Sequence, residues 1–259
     1  ANALGNITSA NQEVIKSLKE LLKDRDKDIR MAAINALGNL GSLSEDAVPE
    51  LVELLKDTEP VIQFAAKSSV EKIGGLSKKA VNSIVKFLSS KNLHISTAVK
   101  KILVRIGESS IVPLTLALSD TDKEMKTAAT LVLGDIGKTI KTVKEAVPAL
   151  VLLLRDKEKE VQIASAFALG EIIDSDNFDK IAVGLTEALK DKESDVRYAA
   201  AEALGKAGAL QNFVKSAAPF LISALKDESN KVRYAAKDSL IRITSKEAMD
   251  YLIEALKDS

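Results

Sequence analysis

The stretch DIRMAAINALGNLG, residues 28–41, decides the fold, because the chain keeps rewriting it. It returns as DVRYAAAEALGKAG at 195–208 and as KVRYAAKDSLIRIT at 231–244. The chain even opens on part of it: ANALGNI (1–7) echoes INALGNL (34–40). The register of Leu37 recurs at Leu4, Val70, Leu103, Leu133, Leu169, Leu204 and Leu240, and the successive steps are 33, 33, 33, 30, 36, 35 and 36 residues. A period of that size marks stacked supersecondary units, none of which can bury its apolar face alone.

Each unit reads as two helices. AVPELVELLKD (47–57), AVPALVLLLRD (146–156) and AAPFLISALKD (217–227) typify the first. There Val48, Leu51, Val52, Leu54 and Leu55 recur at helical spacing. The 28–41 stretch typifies the second, with Ile29, Ala32, Ala33, Ala36, Leu37 and Leu40 as its expected buried stripe. Met31, Ile34, Asn35 and Gly38 would then face away from that stripe. Gly38 or Gly41 would end the helix in a left-handed cap. Ser42–Glu45, Thr142–Glu145 and Thr244–Glu247 fit a capping box. Pro49, Pro113, Pro148 and Pro219 share one position early in the first helix, where a proline sits in the opening turn or bends the helix.

The frame divides one all-α array, 1–259, into a partial repeat at 1–8, complete repeats at 9–41, 42–74, 75–107, 108–137, 138–173, 174–208 and 209–244, and a partial repeat at 245–259. That is seven complete helix pairs with a half repeat at each end. Neither end carries an obvious polar cap, so the frame suggests a segment of a longer array or ends covered by a partner.

The pattern LKD…DVRYAAAEALG resembles the HEAT repeats, especially the subclass described in phycobilin lyases. The resemblance implies a right-handed α–α superhelix, an armadillo-like solenoid with second helices lining the concave side. It also implies a hydrogen-bonded ladder between adjacent units. Its acids would be Asp24, Asp57, Asp120, Asp156, Asp191 and Asp227. Six residues on stand Arg30, Gln63, Lys126, Gln162, Arg197 and Arg233. Ser90 and Ser96 replace that pair in the third complete unit, so an interruption is expected near 90–96.

Little in the chain suggests catalysis. The absence of cysteine excludes disulfides, thiolate nucleophiles and Cys-ligated metals. His94, the single histidine, has no companion ligand and no nucleophile beside it, so it reads as a solvated residue at a helix start. DSDNFD (174–179) lacks the Gly and distal Glu of an EF-hand loop and reads as a turn. GGLSKK (74–79) has neither Walker spacing nor a preceding strand. No catalytic residue, metal site or cofactor is expected.

Two features exceed what the repeat requires. From 72 to 107 there are eight basic residues (Lys72, Lys78, Lys79, Lys86, Lys91, Lys100, Lys101, Arg105) and no acid, in a chain whose formal net charge is +0. Such a segment could attract an acidic protein surface, a phosphate group or nucleic acid, or be a solvated lysine face. Nucleic acid is disfavoured by that neutral total and by only 3% aromatic residues. The second feature is a set of apolar residues on second helices: Leu131, Ile163, Phe167, Tyr198 and Tyr234.

The expectation is a non-catalytic scaffold that binds a protein along the concave face, with Lys100, Lys101 and Arg105 pairing with acids. The resemblance also raises a bilin lyase or an accessory subunit of one. A HEAT-like DNA-binding protein ranks below both. No apolar run of membrane-spanning length occurs, and a cytoplasmic location is expected.

Overall fold

A computed structural model describes residues 2–174, 176–206 and 211–243, with side chains described from residue 11 on and, after the second gap, from residue 217 on. The capping box expected at Thr244–Glu247 and the partial repeat at 245–259 lie outside the described residues. Among the described residues there is no strand. The chain divides into two compact units, Ala1–Pro113 and Leu114–Ser259.

The first unit opens on a single helix, α1 (Asn2–Leu21), which runs without a turn through residues 8 and 9, where the sequence frame places a repeat boundary. The chain then alternates. Second helices are α2 (Lys27–Leu40), α4 (Pro60–Leu76) and α6 (Leu93–Ile106), and first helices are the short α3 (Val48–Glu53) and α5 (Lys78–Val85). The division falls inside α7 (Glu108–Ala117). In the second unit, α8 (Lys123–Gly137), α10 (Lys159–Ile172), α12 (Ser194–Lys206) and α14 (Asn230–Ile243) are second helices. Their first-helix partners are α9 (Val147–Leu153), α11 (Phe178–Ala188) and α13 (Gln211–Ala224). Within each unit, every second helix packs on its neighbours of the same kind, α2 on α4 on α6 and α8 on α10 on α12 on α14.

Burial explains the period. Leu37, Val70, Leu103, Leu133, Leu169 and Leu204, the residues that define the register, are all fully buried. First helices answer with Leu51, Val52, Val81, Ile84, Leu150, Ile181 and Leu185, also buried. Hiding each such side chain contributes roughly 1.5–3 kcal/mol, which no lone hairpin could collect. The second helices approach closely because small residues interlock. A Cβ on Gly134 would lie 2.9 Å from the Cα of Ala168, and one on Gly170 would lie 2.9 Å from the Cα of Ala203. Gly38 meets Ser69 in the same way, with 3.0 Å to its Cβ.

This stacking corrects the expected stripe. Ile34 and Gly38 do not face away from the core but are buried, because a helix inside a stack is covered on a flank as well as on its inner side. Ser69 donates its hydroxyl to the Ile34 carbonyl at 3.0 Å across that flank. Conversely Ile29 and Ala32 are exposed at the N-terminal end of α2. Leu54 is only half-buried.

Helix ends differ from expectation too. The Ser42–Glu45 and Thr142–Glu145 boxes are not formed, and both segments are 3-10 turns (Gly41–Ala47 and Lys141–Ala146) without a side-chain cap. Ser44 is the residue that works there: buried, it donates to the Leu37 carbonyl at 2.7 Å and closes the turn onto the preceding helix. Ser110 repeats the bond to Leu103 at 3.0 Å. Starts of second helices are capped instead by Asp26, Asn92 and Asp122. Gly41 and Gly107 end α2 and α6 at φ 58° and 70°, a conformation costly for any other residue, while Gly38 lies within its helix. Pro49 and Pro148 sit in opening turns, whereas Pro113 and Pro219 lie inside α7 and α13.

Candidate binding face

The joints come first, because they decide which side chains are already committed. Each ladder acid closes a turn by accepting the amide two residues on, as Asp57 does from Glu59 at 2.9 Å and Asp191 from Glu193 at 2.8 Å. The arginine six residues later reaches back to the acid's own carbonyl, Arg30 Nη1 donating to Asp24 O at 2.9 Å and Arg233 Nη1 to Asp227 O at 2.7 Å, whereas Gln162 reaches Leu154 O at 3.2 Å. The side chain at this position also reaches forward to the next unit's acid. Arg30 lies 3.2 Å from Asp57, Gln162 Nε2 donates to Asp191 at 3.3 Å, and Lys126 bonds Asp156.

Arg197 holds Asp227 through two nitrogens, at 2.7 and 3.0 Å. Hydrogen bonding to Asp227 raises the Arg197 guanidinium further above its already high range, against the opposing effect of burial. In the first unit the ladder stops where serine replaces aspartate. Gln63 is spent on the Asp57 carbonyl at 2.7 Å, and Ser90 only accepts from Asn92 N at 3.3 Å. Ser96 turns its hydroxyl to Leu93 O at 3.3 Å within its own helix.

Apolar side chains reach water on both kinds of helix: Leu116, Leu152 and Val183 on first helices are 61–70% exposed, and the second helices carry another set, in a row. In the second unit this row comprises Leu131 on α8, Ile163 and Phe167 on α10, Tyr198 on α12 and Tyr234 on α14, at two register positions four residues apart. Phe167 and Tyr198 meet edge to face across α10 and α12, with ring centroids 6.4 Å apart and planes at 71°. Leu131 is 40% exposed and Tyr234 68%; Ile163, Phe167 and Tyr198 are half-buried. The charges beside the row are largely paired with each other, Lys206 with Glu171, Arg242 with Glu202 and Lys231 with Asp195. Hydrogen bonding from Lys231 holds the Asp195 carboxyl below its ordinary range.

Lys100, Lys101 and Arg105 lie on α6, in the other unit. Arg105 is paired with Glu71 of α4 at 3.3 Å, Lys100 is half-buried, and Lys101 is exposed. Of the other basic residues of 72–107, Lys79 pairs with Asp46 at 2.8 Å and Glu45 at 3.1 Å, and Lys72 donates to Asn39 at 3.0 Å. Ser77 and Lys79 together hold the Glu45 carboxyl below its ordinary range.

The sequence reading passed over Phe64 on α4 and Leu93 at the start of α6, which are 74% and 75% exposed. The repeat arithmetic could have found Phe64. It stands one 33-residue step after Met31, in the register that later holds Ile163, Tyr198 and Tyr234.

His94 is exposed on α6. Asp174 and Asn177 exchange hydrogen bonds that shape the 174–177 turn, and Asn177 also donates to Ile172 O at 3.0 Å. Among the described residues no group of three or more His, Asp or Glu side chains could hold a metal ion. No helix among them is long and apolar enough to cross a membrane.

Stacked helix hairpins tied by an Asp–Arg ladder define an α-helical repeat protein. The family model for HEAT repeats matches residues 1–71, 111–205 and 182–259, and the chain belongs to that family. Among solved structures, it is similar to the crystal structure of an engineered protein at 23% identity and a TM-score of 0.51, over 96% of this chain and 74% of that one. A second engineered protein aligns at 22% identity and a TM-score of 0.47, over 90% and 97% of the two chains. A designed armadillo repeat protein in complex with the peptide (KR)4 aligns at 18% identity and a TM-score of 0.47, over 88% and 98%. The first of these likenesses concerns the fold alone. No curated protein matches the chain.

Proposed function

We propose that the chain is a non-catalytic scaffold that holds another protein against the water-facing side of its second helices, the side that the HEAT resemblance makes concave. One observation carries this reading. Leu131, Ile163, Phe167, Tyr198 and Tyr234 follow one another on successive helices and stay in contact with water, although the same helices hide Leu133, Leu169 and Leu204 completely. Single exposed apolar side chains are ordinary, but apolar side chains that reach water at matching register on successive helices suit a contact surface. Aromatic side chains with charges at the margin are what protein interfaces use most. Anchors of this kind dominate binding energy, and truncating one costs about 2 kcal/mol or more. In the first unit Lys100, Lys101 and Arg105 supply positive charge that speeds encounter with an acidic surface.

The test is capture of a native partner by the wild-type chain and by three variants: Phe167→Ser, Tyr234→Ser and the pair Lys100→Glu with Lys101→Glu. The expected result is a partner retained by the wild type and lost or weakened in the serine variants. Identical capture by all four chains would overturn the reading.

A further inference from the structure

Between α4 and α6 the first unit carries a groove of about 500 Å³ that the scaffold reading does not by itself explain. Phe64 and Leu93 stand on it, with Gln63, His94, Thr97 and Lys101 around them. They are the two most exposed large apolar side chains in the described chain, and both lie in this one groove. Leaving two such groups in water forfeits stabilisation that folding otherwise collects, by roughly 25 cal/mol for each Å² exposed.

The charged side chains that line the groove have one sign. None of its lining residues is acidic, and Lys67 and Lys101 line it. Lys72, Lys100 and Arg105 extend the same sign along the two helices, where Glu71 is the only acid. Glu71 is already answered by Arg105 at 3.3 Å and Lys67 at 3.7 Å. Gln63 is a neutral amide and adds no charge; its Nε2 donates to the Asp57 carbonyl. The ladder break is part of this arrangement. With Ser90 where other units carry aspartate, no carboxylate follows α5 at the joint into α6. The result is an apolar patch beside a net positive charge, which disfavours basic partners and attracts acidic ones.

We infer that this groove receives an acidic segment of a partner protein, which seats one large apolar side chain against Phe64 and Leu93 and places carboxylates toward Lys101 and Lys67. This inference rests on the scaffold reading and names the partner's chemistry for one of its two units.

The test uses the full chain and fluorescein-labelled peptides: the acidic EEDLFEDE, its serine form EEDSSEDE, the basic KKRLFKRK, and a labelled oligo-dT. EEDLFEDE should bind most tightly. Phe64→Ser and Lys101→Glu should each weaken it by about tenfold, roughly 1.4 kcal/mol. Replacing its Leu-Phe by serines should weaken it similarly, and raising salt from about 50 mM to about 500 mM should weaken it further. Circular dichroism of the two variants, which change exposed side chains only, should match the wild type. Tighter binding of KKRLFKRK or oligo-dT, or equal binding of EEDLFEDE by the wild type and both variants, would overturn the inference. The two readings fail separately. Loss of native capture on Phe167→Ser with no preference for EEDLFEDE sinks the groove and leaves the scaffold, and the reverse pattern does the opposite.

Discussion

Arg197 grips Asp227 across the joint between consecutive hairpins, donating Nε to Oδ2 at 2.7 Å and Nη2 to Oδ1 at 3.0 Å. The guanidinium side chain is 8% exposed and the carboxylate 11%, so the pair is shielded where most surface ion pairs are not. Its remaining Nη1 is bound to the carbonyls of Asp191 and Lys192 at 2.7 and 3.1 Å. One arginine thus fastens its own turn and the next.

Asp227→Ala leaves that guanidinium buried without its main partner. Removing one member of a buried pair costs about 3–5 kcal/mol, and Glu228, 3.1 Å from Nη2, should hold the loss near the lower end. Urea unfolding of wild type and variant measures it. A change within about 0.5 kcal/mol would mean the ladder is ornament rather than joint.

The same pair sets an acid limit. Hydrogen bonding from Arg197 holds the Asp227 carboxyl below its ordinary range, against the burial that pushes it up. At Asp156 burial pushes the carboxyl up, but the Lys126 bond, the Glu158 amide and nearby lysine charge together bring it below the ordinary range. Both groups therefore bind protons more weakly folded than unfolded, where an aspartate titrates near about 3.9. Their stabilisation is complete above that value and drains away as pH falls through the lower folded values. Unfolding midpoints taken from neutral pH downward should show wild type and Asp227→Asn converging below about pH 4. A gap that stays constant with pH contradicts this.

Gly170 and Gly75 make opposite predictions from one substitution. A methyl on Gly170 would lie 2.9 Å from the Cα of Ala203, backbone that cannot yield without parting α10 from α12. Gly170→Ala should cost about 1–3 kcal/mol. Nothing lies within 4 Å of a methyl on Gly75, near the end of α4, so Gly75→Ala should be neutral or stabilise by up to about 1 kcal/mol. Thermal melts of the two variants should move in different directions or by clearly different amounts.

Thr130 is fully buried on α8, and its hydroxyl finds no hydrogen-bond partner among the described residues. Thr130→Val removes that cost while keeping the shape, and should raise stability by about 1 kcal/mol. A lower urea midpoint for the valine form would show that the hydroxyl is satisfied after all.

The hairpin frame was legible because every unit writes Leu37 or its counterpart at the same place, and such a residue has only one use in a stack. The side of the second helix that meets water was less legible. An isolated amphipathic pattern yields one buried stripe, whereas α2 is covered on a flank by α4, so Ile34 and Gly38 go inside. Capping boxes misled for a related reason: Ser44 is drawn back to Leu37 O, and the turn tightens before any side-chain cap can form. Phe64 was lost among the apolar residues of α4, because core and surface apolar residues look alike until the neighbouring helix is in place. Phe167 and Tyr198 were readable as a row, but not as touching rings.

The central claim is that the water-facing side of the second helices, not that of the first helices, meets the partner. Photo-crosslinking tests it most directly: a benzophenone amino acid replaces Tyr234 in one chain and Leu152, 70% exposed on the first helix α9, in another. Irradiated with native partner, the chain labelled at 234 should form a covalent adduct and the chain labelled at 152 should not. An adduct at 152 with none at 234 would contradict the account.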